Sequence, residues 1–73
     1  MLNTRKLREA RQKAGLSQAE LARRVGVSQG LIWAIERGTK RPSIEVLAKI
    51  ASELSLSLDE ILPVVNDTQE AAQ

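Results

Sequence analysis

The chain has no cysteine and no histidine. Their absence excludes disulfides, thiolate zinc sites, histidine general-base catalysis and a protonation switch near neutral pH. Aromatic residues are almost missing as well, Trp33 being the only one among 73 residues. Leu, Ile, Val and Ala therefore have to fill the core, which suits a small helical bundle. There is no glycine-rich phosphate loop and no acidic metal cluster, so no catalytic constellation can be assembled and the protein is expected not to be an enzyme. No stretch approaches the roughly 20 apolar residues of a membrane span, and the N-terminus lacks the apolar run of a signal peptide. The expectation is a cytoplasmic protein that uses no metal, no cofactor and no membrane.

What is present points elsewhere. A chain of 73 residues makes one domain with one modest core, and chains near this size bury only about 60% of the surface they expose when unfolded. The net charge is +2, but it is unevenly spread. Ten Lys and Arg against Glu9, Glu20 and Glu36 leave residues 1–42 at +7, whereas Lys49 against six carboxylates leaves residues 43–73 at −5. A basic half beside an acidic half fits one face that meets a polyanion. Solvated helix faces with accidental asymmetry would give the same count.

Caps and apolar spacing predict five helices and no strand, an all-α bundle. The first runs from about Thr4 to Ala14, with Leu7, Ala10 and Ala14 inward and Gly15 as its stop. The second starts at Ser17, where SQAE forms a capping box with Glu20, buries Leu21, Ala22 and Val25, and stops at Gly26. The third is capped by Ser28, turns Ile32 and Ile35 inward and ends at Gly38. After the basic loop TKRP, Ser43 caps a fourth helix that buries Leu47, Ile50, Ala51 and Leu54. Ser57 with Glu60 opens a short fifth helix that Pro63 terminates. Residues 1–65 are expected to form the domain, and the polar residues 66–73 a disordered tail.

The break VGVSQG between the second and third helices has a physical purpose. Two helices joined by a glycine-containing turn of about three to four residues make a helix-turn-helix, crossing at roughly 90–120°. Gly26 can take the left-handed backbone that a side chain resists. The second of the two helices then projects from the body and can enter a DNA major groove.

The segment LSQAELARRVGVSQGLIWAIERG, followed by KRPSIEVLAKIASELSLSLDEIL, resembles the Cro/phage-repressor, or lambda-repressor-like (XRE-type), helix-turn-helix family across roughly residues 5–62. The resemblance implies a compact five-helix DNA-binding domain that works as a dimer on two-fold related half-sites.

Ser17 and Gln18 open the second helix, where free N–H groups and the helix dipole favour an anion. The resemblance implies that Gln18 clamps a DNA phosphate and that Gln29 contacts a base, as its amide can do with adenine N6 and N7. Ser28 is first a cap and secondly a phosphate or base contact. Gly30 and Ala34 leave the same face of the third helix nearly bare, so base readout is sparse and DNA shape contributes. Trp33 has two readings: packing on a thymine methyl or sugar, or partial burial against a neighbouring element. Arg37, Thr39, Lys40 and Arg41 are expected at the flanking phosphates. Arg11 lies in phase with Leu7 and Ala14, and Glu36 follows Ile35. The resemblance pairs these two positions in a partly buried salt bridge.

Of the apolar cluster Leu58, Ile61, Leu62, Val64 and Val65, Leu58 and either Ile61 or Leu62 are expected in the core, and Ile61, Leu62, Val64 and Val65 are the candidates for a dimer contact. Val64 and Val65 have an alternative, docking back onto the first helix with Met1 and Leu2. The expected function is sequence-specific transcriptional regulation, by a repressor that binds a palindromic operator in double-stranded DNA as a homodimer. Its recognition helices would stand about 34 Å apart. No ligand-sensing domain is expected after Pro63. Two alternatives stay open: an antitoxin-type module that binds a toxin as well as DNA, and a restriction-modification controller.

Overall fold

A computed structural model describes residues 2–62. Its five helices are α1 (Thr4–Lys13), α2 (Gln18–Val25), α3 (Gln29–Arg37), α4 (Ile44–Glu53) and α5 (Leu58–Ile61), with no strand among the described residues. The first four each open on a side-chain oxygen that accepts an otherwise free backbone N–H. Asn3 Oδ1 accepts from Lys6 at 3.0 Å, and the Oγ atoms of Ser17, Ser28 and Ser43 accept from Glu20, Leu31 and Val46 at 3.0, 3.1 and 3.2 Å. At α5 the Ser57 N–H donates to the Glu60 carboxylate at 2.9 Å. That bond holds the Glu60 carboxyl below its ordinary value of 4.5, opposed by partial desolvation and assisted by Lys6.

Four helices end in one pattern. The residue after the final turn takes left-handed backbone, and the next N–H reaches back to a carbonyl five residues earlier. Leu16 donates to Arg11, Val27 to Ala22, Thr39 to Ala34 and Leu56 to Ala51, at 3.1, 2.9, 2.9 and 2.8 Å. The left-handed residue is a glycine in three cases, and in the fourth it is Ser55 at φ 57°. The end of α4 therefore gives no glycine signal in the sequence.

Each helix turns an apolar stripe into one core made of Leu7, Leu21, Ala22, Val25, Ile32, Ile35, Leu47, Ile50, Ala51, Leu54 and Ile61. α2 packs on α3 and α4, α1 on α3 and α5, and α4 on α5. No described helix is long and apolar enough to cross a membrane.

Several expectations need correction. α1 ends at Lys13, and Ala14, expected inward, is exposed, because the chain already turns away at Gly15. Arg11, held at 11% side-chain exposure, lies on the inner side of that last turn instead. At α2 the Ser17 half of the capping box forms, but the Glu20 carboxylate bonds Arg23 at 2.6 Å. Leu62 is extended, at φ −80° and ψ 152°, as the residue before a proline is biased to be. Pro63, Val64, Val65 and the tail 66–73 lie outside the described residues.

One polar group stands inside this apolar body. Glu36, 4% exposed, is the only buried charged or polar residue among those described. Arg11 Nε and Nη2 donate to its two carboxylate oxygens at 2.6 and 3.1 Å, and Arg11 Nη1 donates to the Leu16 carbonyl at 2.8 Å. The fork of the guanidinium thus ties α1 to the last turn of α3 and to the loop before α2. Removing one member strands the other charge, which costs about 3–5 kcal/mol, whereas replacing both with apolar residues is near neutral. Total stability of a small domain is about 5–15 kcal/mol. Arg11→Ala should therefore lower the stability by about 3–5 kcal/mol in urea titrations followed by far-UV circular dichroism, and Arg5→Ala should leave it unchanged. Arg11→Met combined with Glu36→Leu should recover most of the loss.

Candidate nucleic-acid interface

The corner between α2 and α3 is three residues long, residues 26–28. Gly26 sits at φ 86° and ψ 32°, and its N–H and that of Val27 both donate to the Ala22 carbonyl, at 2.8 and 2.9 Å. A side chain at Gly26 would meet nothing within 4 Å, so backbone conformation rather than space selects glycine here. Ala22 is buried, and Val27 packs half-buried against the core.

α3 is strongly two-sided. Ile32, Ile35 and Glu36 are buried, whereas Ser28, Gln29, Gly30, Trp33 and Arg37 are exposed and Ala34 is half-buried. Trp33 keeps 50% of its surface exposed, so half of the ring is covered and half remains on the outer face. Ser28, Gly30, Leu31, Ala34 and Lys40 line a trough of about 430 Å³ along one side of the helix. Gly30, Ala34 and Ser28 are therefore brought together with a cation that the sequence places ten residues away from Gly30.

The start of α2 lies beside the buried ion pair. Gln18 is half-buried, and its Nε2 donates to Glu36 Oε1 at 3.1 Å. An amide nitrogen carries two N–H groups, so one remains for an outside acceptor. Ser17 and Ser28 use their oxygens to accept backbone N–H bonds, which leaves each hydroxyl hydrogen free to donate outward. At the other end of α3, Thr39 Oγ1 donates to the Ala34 carbonyl at 3.2 Å. Arg37, Thr39, Lys40 and Arg41 share a groove of about 530 Å³ with Leu2 and Thr4 at the start of α1. The Arg37 guanidinium carbon stands 4.9 Å from the centroid of the Trp33 ring.

Two of these features escape the sequence reading. The bond from Gln18 to Glu36 spans 18 residues and has no local signature. The stack of Arg37 on Trp33 does have one, the i, i+4 spacing that places two helical side chains on one face. The dimer candidates, in contrast, lose a member. Ile61 is 1% exposed and belongs to the core, so it offers no surface to a second copy. Leu62 is half-buried against that core, and Val64 and Val65 lie outside the described residues.

A family model described as helix-turn-helix matches residues 7–61. The HTH-type transcriptional regulator YazB of Bacillus subtilis is 34% identical over 59 residues, covering 81% of this chain and 86% of YazB. The HTH-type transcriptional regulator y4dL of Sinorhizobium fredii is 34% identical over 73 residues, covering 94% of this chain. The match spans only 37% of y4dL. Among solved structures, the N-terminal DNA-binding domain of SinR from Bacillus subtilis fits with a TM-score of 0.76 at 29% identity, covering 88% of this chain and 94% of that one. SinR, the master regulator for biofilm formation, in complex with DNA fits with a TM-score of 0.71 at 32% identity, covering 77% and 90%.

Gly30 offers a direct probe of this face. Its backbone is ordinary helix, and a Cβ added there would meet only Ser28 Oγ, at 4.0 Å. Nothing inside the protein requires glycine, yet it costs a helix about 0.5–1 kcal/mol relative to alanine. Gly30→Ala should raise the free energy of unfolding by up to that amount while weakening binding to duplex DNA at least several-fold in fluorescence titrations. Unchanged affinity would mean that no ligand approaches this backbone closely.

Proposed function

The chain belongs to the helix-turn-helix family of transcriptional regulators, which are not enzymes, and we propose that it is a repressor that binds a palindromic operator as a homodimer in the cytoplasm. The observation that carries this reading is the division of α3 between a buried, salt-bridged back and an outer face left free of the bundle. Blocking polymerase by occupancy needs no chemistry beyond binding.

In the proposed complex α3 lies in the major groove. Gln29 reads a base edge, with adenine N6 and N7 the pair its amide fits best. Ser28, Gly30 and Ala34 let the duplex come close, and Trp33 adds apolar contact. The duplex backbone is held by Ser17 and Gln18 at the N-terminus of α2 and by Lys40 and Arg41 after α3, with Thr39 joining them if its hydroxyl turns from the Ala34 carbonyl. The second N–H of Gln18 serves this contact, because the first is spent on Glu36. Two copies related by a two-fold axis present their α3 helices about 34 Å apart, one turn of DNA. With Ile61 in the core, the self-association surface is assigned to the end of the chain around Leu62.

Selection from a random duplex library, with sedimentation of the free and bound protein, tests this reading. A palindromic motif bound by two copies supports it. A motif without symmetry, bound by one copy, rejects the dimer. Gln29→Ala should lose about 1–3 kcal/mol of discrimination at a single base position of the motif. Arg41→Ala should weaken all sequences alike and reduce the salt dependence by about one phosphate contact.

A further inference from the structure

Sequence spacing alone assigns Arg37 to the phosphates beside the groove, together with Thr39, Lys40 and Arg41. The placement of its guanidinium argues otherwise. The guanidinium carbon lies 4.9 Å from the centroid of the Trp33 ring, one helical turn toward the N-terminus. Helical side chains point back toward the N-terminus and over the preceding turn. Arg37 thus lines the groove it shares with Lys40 and Arg41 while its guanidinium lies back along α3 over Trp33. We propose that Arg37, positioned over Trp33, reads a guanine in the major groove and so sets the specificity of the site. This rests on the reading of α3 as the helix that enters DNA.

Four observations carry it. Gln29, Trp33 and Arg37 follow one another at four-residue steps on the exposed face. They therefore cover about 12 Å along the helix axis at 1.5 Å per residue, a length comparable to three or four base pairs at about 3.4 Å each. Secondly, the guanidinium carbon lies over the Trp33 ring, 4.9 Å from its centroid, a cation–π contact that consumes none of its N–H donors. The guanidinium fork matches the O6 and N7 acceptors of guanine in bidentate fashion, the commonest specific contact in the major groove. Thirdly, no described carboxylate pairs with Arg37, whereas Lys6, Arg11, Arg23 and Arg24 each face one. Fourthly, Trp33 remains half exposed. Its indole adds little to the core, and the cation it carries gains from stacking most where water is excluded.

Trp33 acts here as a positioning residue and Arg37 as the reader. Lysine retains the charge of arginine but has neither its plane nor its fork, so Arg37→Lys separates a guanine reader from a phosphate clamp. The full chain and its Arg37→Lys, Arg37→Ala and Trp33→Ala variants are each put through selection from random duplex DNA, with the salt dependence of affinity measured on the parent motif. Both side chains are exposed, and circular dichroism checks that each variant is folded.

The parent should select guanine at one position near the outer edge of each half-site. All three variants should lose that preference; the two Arg37 variants should keep the rest of the motif, and Trp33→Ala should lose in addition only what its own apolar contact supplies. Affinity for the guanine-containing duplex should fall by about 5- to 150-fold in Arg37→Lys, which corresponds to the discrimination of a good bidentate pair. The slope of log affinity against log salt should stay the same in that variant. The proposal is overturned if Arg37→Ala keeps the parent's base preferences and loses about one unit of salt slope, the mark of a phosphate contact. It is also overturned if Arg37→Lys matches the parent at every position. A parent that selects no motif at all overturns the DNA-reading function itself, and this inference with it.

Discussion

A carboxylate buried at the end of a nine-residue helix is an unusual foundation for so small a domain. Glu36 is tolerated because its lone pairs are filled: Arg11 bonds both oxygens, and Gln18 bonds one of them as well. An unpaired charge at that depth would remove a large share of the domain's stability. The consequence is geometric. One guanidinium fork joins α1, the Leu16 carbonyl before α2, and α3, so the end of the first helix, the loop after it and a helix 25 residues away share a single fixed point. α3 cannot roll to bury Trp33 without breaking that point. The outer face of α3 is exposed because its inner face is both apolar and salt-bridged.

The same network connects stability to binding. Gln18 stands at the N-terminus of α2, and its amide is oriented by a carboxylate that belongs to α3. The start of one helix and the body of the next are therefore held in register at the place where a DNA backbone and a groove would meet them. The left-handed ends at Gly26 and Gly38 set the chain direction on either side of α3. Little of this depends on α5, whose contribution is to close the core with Ile61 and to receive the Asn3 N–H at the Ile61 carbonyl, 2.8 Å away.

How much of this the sequence discloses depends on whether the cause is local. Ser17, Ser28 and Ser43 sit where a free N–H must be taken up, and Gly15, Gly26 and Gly38 sit where the backbone must turn left-handed. The helices and their buried faces follow from those few residues. Ser55 breaks the rule because a serine carries the same backbone conformation without announcing it. Ile61 has two readings in the sequence because a run of apolar residues serves equally as core or contact surface, and its burial selects the core. Arg11 and Glu36 could be paired only through a family resemblance, their separation being 25 residues. The bond from Gln18 to Glu36 was illegible for the same reason. The Arg37–Trp33 stack was legible in principle, but phosphate binding is the default role of a cation beside a recognition helix, and that default concealed it.

The central claim is that one outward face, fixed by a buried ion pair, meets DNA. Amide chemical shifts of the nitrogen-15-labelled chain, followed as duplex DNA is added, test it most directly. Shifts should concentrate at residues 17–18, 28–34 and 37–41, and the amides of residues 46–60 should stay still. Movement concentrated in residues 46–60, with α3 silent, would contradict the account.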